Sequence, residues 1–393
     1  MRDPDMHGPS NVPGDVPEDV PEDVPEDVPG VVPTVDISGW ESGGAQQRRA
    51  IAEAVDDACR RIGFMQLTGH GVPPELVDAA LRELDAFFAL PEETKRRYVP
   101  PDVMVNRGYG PFRSEALAYS LGVSTAPDVF EAFNIGPDAW PAGVEVYERE
   151  RDGVFAPNIW PAETPGLRGA LVAYFDAVAA LARRMTRIFA VALGMPEDFF
   201  AAYTDHSTDT LRAIHYRALP PEEARADGPG RQAEPARMGA HTDYGILTIL
   251  YGDRVPGLEI VGPDGAWHPV LPAPGAFLVN LGDLLAQWTN DRWSSTLHRV
   301  IVPVRTEGGP ARRRSIAFFH DGNYDALVEC LPTCQGPQNP PKYPPVVAGE
   351  HLRAKLAAPR TLRPTTAAST VGDRAAALAD LGAPAGAAPG DRA

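Results

Sequence analysis

Between residues 211 and 319 the chain breaks into short β-rich runs, each bounded by Gly, Pro or Asp: Leu211–Tyr216, Ile246–Tyr251, Leu258–Val261, Phe277–Leu281, Val300–Val304 and Ser315–Phe319. Short strands in close succession imply a sandwich or a jelly-roll barrel. Before them the period changes. Ile51, Val55, Ala58 and Ile62 recur at helical spacing ahead of Gly63, and Leu76, Ala80, Leu84 and Phe87 do so after Pro73-Pro74. These two helices flank Phe64–Leu67, which reads as a buried strand. The longest helix is predicted from Thr164 as N-cap, with Pro165 after it, through Leu167, Leu171, Tyr174, Val178, Leu181, Met185 and Ile188 to Gly194. The expected class is therefore α+β, with an N-terminal helical/β region supporting a jelly-roll core.

The two ends do not share this patterning. Residues 1–30 repeat Val-Pro-Glu-Asp three times from Val16 to Asp27, and residues 359–393 are rich in Ala, Pro, Gly and Thr. Neither has enough apolar surface to offset the entropy of ordering, so both are expected to be disordered. Within the tail, Arg374–Leu381 can form a helical turn or two without a wide apolar face. The expected division is thus 1–30 acidic arm, 31–160 N-terminal region, 161–205 scaffold helices, 206–330 jelly-roll core, 331–358 C-terminal segment and 359–393 tail, with Pro220–Pro235 a surface loop.

Charge and cysteines narrow the function classes. At 393 residues and 44% hydrophobic the chain can bury a sizeable core. The net charge is −17, and residues 1–30, with nine acids and one base, hold −8 of it. What is left is still acidic, which argues against a surface that tracks nucleic-acid phosphates. Apolar runs are short, and Arg183, Arg184 and Arg187 interrupt the longest helix, so no membrane span is expected. Cys59, Cys330 and Cys334 cannot build a disulfide framework, and a reduced, cytoplasmic setting is expected.

Three residues carry the chemistry: His241 and Asp243 in His-Thr-Asp-Tyr-Gly, and His298 in Thr-Leu-His-Arg-Val. Residues i and i+2 of a strand share a face, so His241 and Asp243 can ligate one ion together. A second imidazole from elsewhere completes two histidines and one carboxylate, the facial set of non-haem Fe(II) oxygenases, which leaves positions open for a co-substrate and dioxygen. Short His-x-Asp pairs also occur without metal, so a second feature matters. Arg313-Arg314-Ser315 opens the last strand, and Arg313 and Ser315 share a face on which a guanidinium and a hydroxyl can clamp a carboxylate.

Over roughly residues 31–358 the sequence resembles the isopenicillin N synthase-like family of Fe(II)/2-oxoglutarate dioxygenases. The resemblance rests on Val32-Pro-Thr-Val-Asp-Ile-Ser38, Gly63-Phe-Met-Gln-Leu-Thr-Gly-His-Gly-Val72, Arg107-Gly-Tyr109 and Asp128-Val-Phe-Glu131. It continues through Leu211–Tyr216, His241-Thr-Asp243, Asn280-Leu-Gly-Asp283, Thr289-Asn290, Ser295-Thr-Leu-His-Arg-Val300 and Arg313-Arg-Ser315. It implies a double-stranded β-helix core flanked by helices. It also implies Fe(II) on His241, Asp243 and His298, the far carboxylate of 2-oxoglutarate on Arg313 and Ser315 with Tyr216 adding a hydrogen bond, and dioxygen as oxidant. Asn280, Gly282 and Asp283 are expected to be structural, through a tight turn and satisfied backbone donors. Two departures stand out: Ile214 where plant relatives usually have Asn, and Asp291 where Gly commonly follows Thr-Asn.

The implied reaction is oxidation of a small molecule by hydroxylation, desaturation or cyclisation. Candidate substrate-lining residues are Arg107, Tyr109, Phe133, Trp288 and His320, with Phe130 and Trp160, although each aromatic fits a core position equally well. His70, His206, His215 and His268 are not assigned to metal. Usage rich in Ala, Pro and Arg points by analogy to a GC-rich bacterial genome and to secondary metabolism such as antibiotic biosynthesis. The alternatives are a 2-oxoglutarate-independent oxidase of the isopenicillin N synthase type, a non-catalytic jelly-roll binding protein and a zinc hydrolase. Sequence leaves the substrate and the oligomeric state open.

Overall fold

The computed structural model describes residues 31–140, 143–218, 236–302 and 312–363; the expectations for the acidic arm, for Pro220–Pro235 and for Arg374–Leu381 lie outside them. Twelve strands form two sheets: β1 Thr34–Asp36, β2 Phe64–Thr68, β3 Gly108–Gly110, β4 Glu131–Ile135, β5 Thr210–Tyr216, β6 Ala236–His241, β7 Leu247–Gly252, β8 Leu258–Val261, β9 Trp267–Pro269, β10 Phe277–Leu281, β11 His298–Ile301 and β12 Arg313–His320. The larger sheet has the order β1-β2-β10-β7-β12-β5-β4-β3 and the smaller β6-β11-β8-β9. All ladders in them are antiparallel except β1 with β2. The chain is thus a mixed α/β protein dominated by antiparallel sheets, as the succession of short runs predicts.

Alternation within the strands decides which side chains face the site. On β12, Ile316 and Phe318 point to the helical layer, where the Phe318 and Phe175 rings meet edge-on at 5.0 Å. Arg313, Ser315, Ala317 and Phe319 point the other way and line a cavity between the two sheets. The paired strand β5 gives the same cavity Thr210, Arg212, Ile214 and Tyr216. Both strands are buried on both faces, so neither reads as a simple apolar/polar alternation.

The helical layer is built on Leu167–Ala192, which packs against Ala45–Arg61 and Pro74–Phe88 on one side and β12 on the other. Its Leu171, Val178, Leu181, Met185 and Ile188 are at most 1% exposed. Each such side chain adds about 1.5–3 kcal/mol of burial. At its C-terminus Gly194 has φ +72°, and the bonds Gly194 N–H to Val191 O and Met195 N–H to Ala190 O close a Schellman motif. The N-terminus differs from expectation. Thr164 is not the cap: its carbonyl accepts from Leu167 N–H in a turn that Pro165 favours, and Gly166 is the capping residue.

At the other end of the chain, helix Ala348–Thr361 runs past the expected tail boundary at 359 and carries Pro359 and Arg360 into the cavity wall. Among the described residues no helix is long and apolar enough to cross a membrane, and Cys59, Cys330 and Cys334 are free thiols.

Candidate active site

His241 ends β6 and His298 begins β11, and the two are direct cross-strand partners, with ring centroids 4.2 Å apart. The β6 ladder stops at His241, so Asp243 owes its position to the following loop, where its carbonyl accepts from Asp283 N–H at 2.8 Å. His241 Nε2 and His298 Nε2 lie 3.9 and 3.7 Å from Asp243 Oδ1, too far to hydrogen bond with it. The three ligand atoms lie within 4.8 Å of one another, and among the described residues this is the group able to hold a metal ion.

Every other polar atom of the triad is occupied in a way that fits an ion. His241 Nδ1–H donates to Gly239 O at 2.8 Å, and His298 Nδ1–H donates to Thr296 O at 3.1 Å. These bonds leave both Nε2 lone pairs turned to the shared point. Asp243 Oδ2 accepts from Thr248 Oγ1 at 2.5 Å and from Asn280 Nδ2 at 2.6 Å, which leaves Oδ1 for coordination. Burial and the neighbouring His298 push the His241 pKa down to about 3, so its imidazole is neutral and able to ligate at ordinary pH. The edge of Phe64 packs on His298 at 5.6 Å and covers it from one side.

Arg313, Ser315 and Tyr216 come together at one end of the cavity. Arg313 is 3% and Ser315 2% exposed, and Arg313 Nη1 lies 3.4 Å from Ser315 Oγ. Arg313 sits over the Tyr216 ring at 5.1 Å, and Arg237 approaches the same ring at 5.8 Å. Burial, with Arg313 adding, lowers the Arg237 pKa to about 10. Of these two guanidiniums Arg313 lines the cavity, where its planar fork suits a carboxylate.

The substrate-lining candidates divide. Arg107 lines the cavity, but its guanidinium donates to three backbone carbonyls, those of Ala156, Asn106 and Val154. Tyr109, Phe133, Trp288 and His320 do not line it. Tyr109 donates to buried Glu131 and Phe133 stacks edge-on with Phe87. Trp288 packs between Phe200 and Tyr203, while His320, on the helix-facing side of β12, bonds Asp209 at 2.8 Å. Phe130 and Trp160 also lie outside the lining; Phe130 supports Tyr216, and Trp160 donates to Asp138. Large aromatics were taken by the core because it needs their area more than the site does.

Asn280 and Asp283 are not merely turn residues. Asn280 holds the Asp243 carboxylate, and Asp283 accepts from Thr242 Oγ1 at 3.0 Å and from buried Lys355 at 2.8 Å. Gly282 has φ −93°, so its need for glycine is proximity: a Cβ there would meet Gly245 O at 2.2 Å. Asp291 adopts φ +58°, a backbone region that favours the Gly the family commonly has. His70, His206, His215 and His268 each bond a partner outside the triad: Gly275 O, Asp325, Glu131 and Asp264.

Family models match in two blocks. Residues 32–163 match the N-terminal model of non-haem dioxygenases in morphine synthesis, and residues 208–322 match the 2OG-Fe(II) oxygenase superfamily. The 2-oxoglutarate-Fe(II) type oxidoreductase hxnY of Emericella nidulans is 36% identical over 307 residues, covering 77% of this chain and 83% of that protein. The chain belongs to the 2-oxoglutarate/Fe(II)-dependent oxygenase superfamily. Validamycin A dioxygenase of Streptomyces hygroscopicus subsp. limoneus is 33% identical over 327 residues, covering 82% of this chain and 84% of that one. Neurospora crassa T7H, solved with alpha-KG and thymine, superposes with a TM-score of 0.71 at 29% identity, over 83% of this chain and 96% of that one. This protein is therefore an oxygenase that uses Fe(II), 2-oxoglutarate and dioxygen. Family membership decides for this activity over the other enzyme and binding readings that the sequence leaves open.

Proposed function

We propose that His241, Asp243 and His298 hold the Fe(II), that Arg313 and Ser315 hold the distal carboxylate of 2-oxoglutarate with Tyr216 beside them, and that the facing sheets are the double-stranded β-helix of the family. The observation that carries this is the occupancy of the outward atoms: each imidazole Nδ1 and Asp243 Oδ2 is already hydrogen bonded, while the two Nε2 atoms and Oδ1 converge. Fe(II), 2-oxoglutarate and dioxygen together supply oxidation of a bound substrate with release of succinate and carbon dioxide. The chain's own part is positioning. Gly239 O and Thr296 O orient the imidazoles, Thr248 and Asn280 turn the carboxylate, and Arg313 with Ser315 fixes the co-substrate so that its other end meets the metal.

The substrate in this reading is a small molecule, and the setting is bacterial secondary metabolism, including antibiotic tailoring. Support comes from the relative validamycin A dioxygenase, from T7H solved with thymine, and from a cavity between the sheets. Hydroxylation, desaturation and cyclisation share this site and differ only in the fate of the oxidised substrate.

The test is an anaerobic titration of metal-free protein with Fe(II) and then 2-oxoglutarate, followed through the weak visible metal-to-ligand band of a chelated keto acid. The wild type develops the band. Arg313→Ala requires about 10- to 150-fold more 2-oxoglutarate, the equivalent of one charged hydrogen bond of about 1.5–3 kcal/mol. Iron binding without a band, or equal half-saturation in the variant, defeats the assignment of these residues.

A further inference from the structure

The cavity extends well past the co-substrate end, and its far part carries charge that neither the metal nor 2-oxoglutarate uses. On β5 the cavity face runs Tyr216, Ile214, Arg212, so Arg212 lies about 13 Å along the strand from Tyr216 at 3.3 Å per residue. Helix Ala348–Thr361 presents Leu352, Leu356 and Arg360 at i, i+4 and i+8, a single line of side chains into the same space. Arg107 adds a third guanidinium.

Their compensation is incomplete. Arg212 Nη2 pairs with Glu115 Oε1 at 2.9 Å, and its guanidinium lies over the Phe130 ring at 5.2 Å. Arg360 donates to Asn106 Oδ1 at 2.6 Å and to the Val103 and Met104 carbonyls, none of them charged. Arg107 likewise meets only carbonyls. Glu115 is held below the usual carboxylate range because Arg212 and Arg360 together outweigh its burial. Burial, with Arg212 adding, depresses Arg360, and burial, with Arg360 adding, brings Arg107 to about 10. Asp321 also faces the cavity. Three guanidiniums therefore face two carboxyl groups, Glu115 and Asp321. A buried surplus of positive charge is costly unless an anion enters.

We propose that Arg212 and Arg360 form the substrate-recognition subsite and bind a carboxylate carried on a largely apolar small molecule. Planar forks suit a carboxylate, and Leu352, Leu356, Leu117 and Met104 supply an apolar wall for the rest of the molecule. Arg107 raises the positive potential without giving up its own bonds. This inference rests on the reading of the triad and Arg313 given above, since it takes Arg313 to be engaged by 2-oxoglutarate.

The experiment is anaerobic calorimetry on protein loaded with Fe(II) and excess 2-oxoglutarate, with phenylacetate, cyclohexylacetate and octanoate as probes, each against its primary amide. The visible band is recorded in parallel. The wild type binds at least one acid tenfold more tightly than its amide, with the band retained. Arg360→Met loses that preference while amide binding is unchanged, and Arg360→Lys keeps part of it. A wild type without acid preference, a preference that survives Arg360→Met, or an acid that bleaches the band by displacing 2-oxoglutarate overturns the proposal. If no band forms before any probe is added, the underlying site assignment has failed instead.

Discussion

Asn280→Ala tests whether the metal centre is held by its surroundings as well as by its ligands. Asn280 lies on β10 between β2 and β7, opposite Phe64 on one side and Thr248 on the other. Its Nδ2 donates to Asp243 Oδ2 at 2.6 Å, and Thr248 Oγ1 donates to the same oxygen. A hydrogen bond to a charged carboxylate contributes about 1.5–3 kcal/mol, which is about 10- to 150-fold in an equilibrium constant. Because Thr248 still grips Oδ2 in the variant, the lower part of that range applies: Fe(II) affinity falls by about ten- to thirtyfold, in keeping with the usual cost of losing a group behind a metal ligand. Asn280→Asp falls further, since it sets a second carboxylate beside Asp243.

The assay is anaerobic equilibrium competition for Fe(II) against a chelator of known affinity. Urea unfolding of the metal-free proteins runs alongside and separates a packing defect from loss of ligand orientation, because a small cavity lowers stability without a selective effect on metal. An Asn280→Ala protein that binds Fe(II) within twofold of wild type refutes the reasoning: Thr248 alone would then orient the carboxylate.

Two further predictions concern the framework around the site. Glu131, fully buried, accepts from Lys95, Tyr109, His215 and Arg217, which together hold its pKa far below normal despite its burial. Glu131→Gln leaves buried Lys95 with Glu92, 3.6 Å away and part-exposed, as its charged partner and costs about 3 kcal/mol in urea unfolding; a loss under 1 kcal/mol contradicts the account. Burial raises the Asp128 pKa to about 7 even though Leu117 and Gly239 N–H groups bond it. The native state therefore binds a proton that the unfolded state has released, and the resulting stability, present below pH 4, is lost as pH rises through 7, by at most about 4 kcal/mol. Asp128→Asn removes this slope, so wild-type stability relative to the variant falls between pH 4 and 7 in paired unfolding curves; parallel curves reject it.

How much of this was legible depended on whether a signal was local. Phe277–Leu281 and Leu211–Tyr216 carry β-branched or aromatic runs, and the observed strands fall on them within a residue. β6, Ala-Arg-Met-Gly-Ala-His, has no such run and is a strand because β11 pairs with it, a long-range fact. The same pairing explains why β11 begins at His298, two residues before the Val300–Val304 run: the proposed ligand itself is in the ladder. The triad could be read from residue types, because few arrangements use two imidazoles and a carboxylate. The cavity lining could not, since an aromatic ring suits core and pocket alike, and only register says which way it points. Arg212 and Arg360 were invisible for a related reason: one needed the register of β5, and the other needed a helix that continues through Pro359.

That register also accounts for how one site can keep its chemistry while its substrate changes. Along the β5–β12 pair the cavity-facing residues sit opposite one another in order, Arg313 with Tyr216, Ser315 with Ile214, Ala317 with Arg212 and Phe319 with Thr210. The first pair lies at the proposed co-substrate end and the third reaches the proposed carboxylate subsite, with the four-residue step from Arg313 to Ala317 on β12 fixing their spacing. Because alternate side chains project into the helical core, where Ile316 and Phe318 are at most 1% exposed, the ribbon cannot slip by a residue without exposing that core. The packing that stabilises the fold therefore also sets the distance between co-substrate and substrate. Replacements at Arg212 or Thr210 can alter what is recognised while Arg313 and Ser315, two or more residues along the ribbon, keep their place, and this separation is what a shared scaffold with many substrates requires.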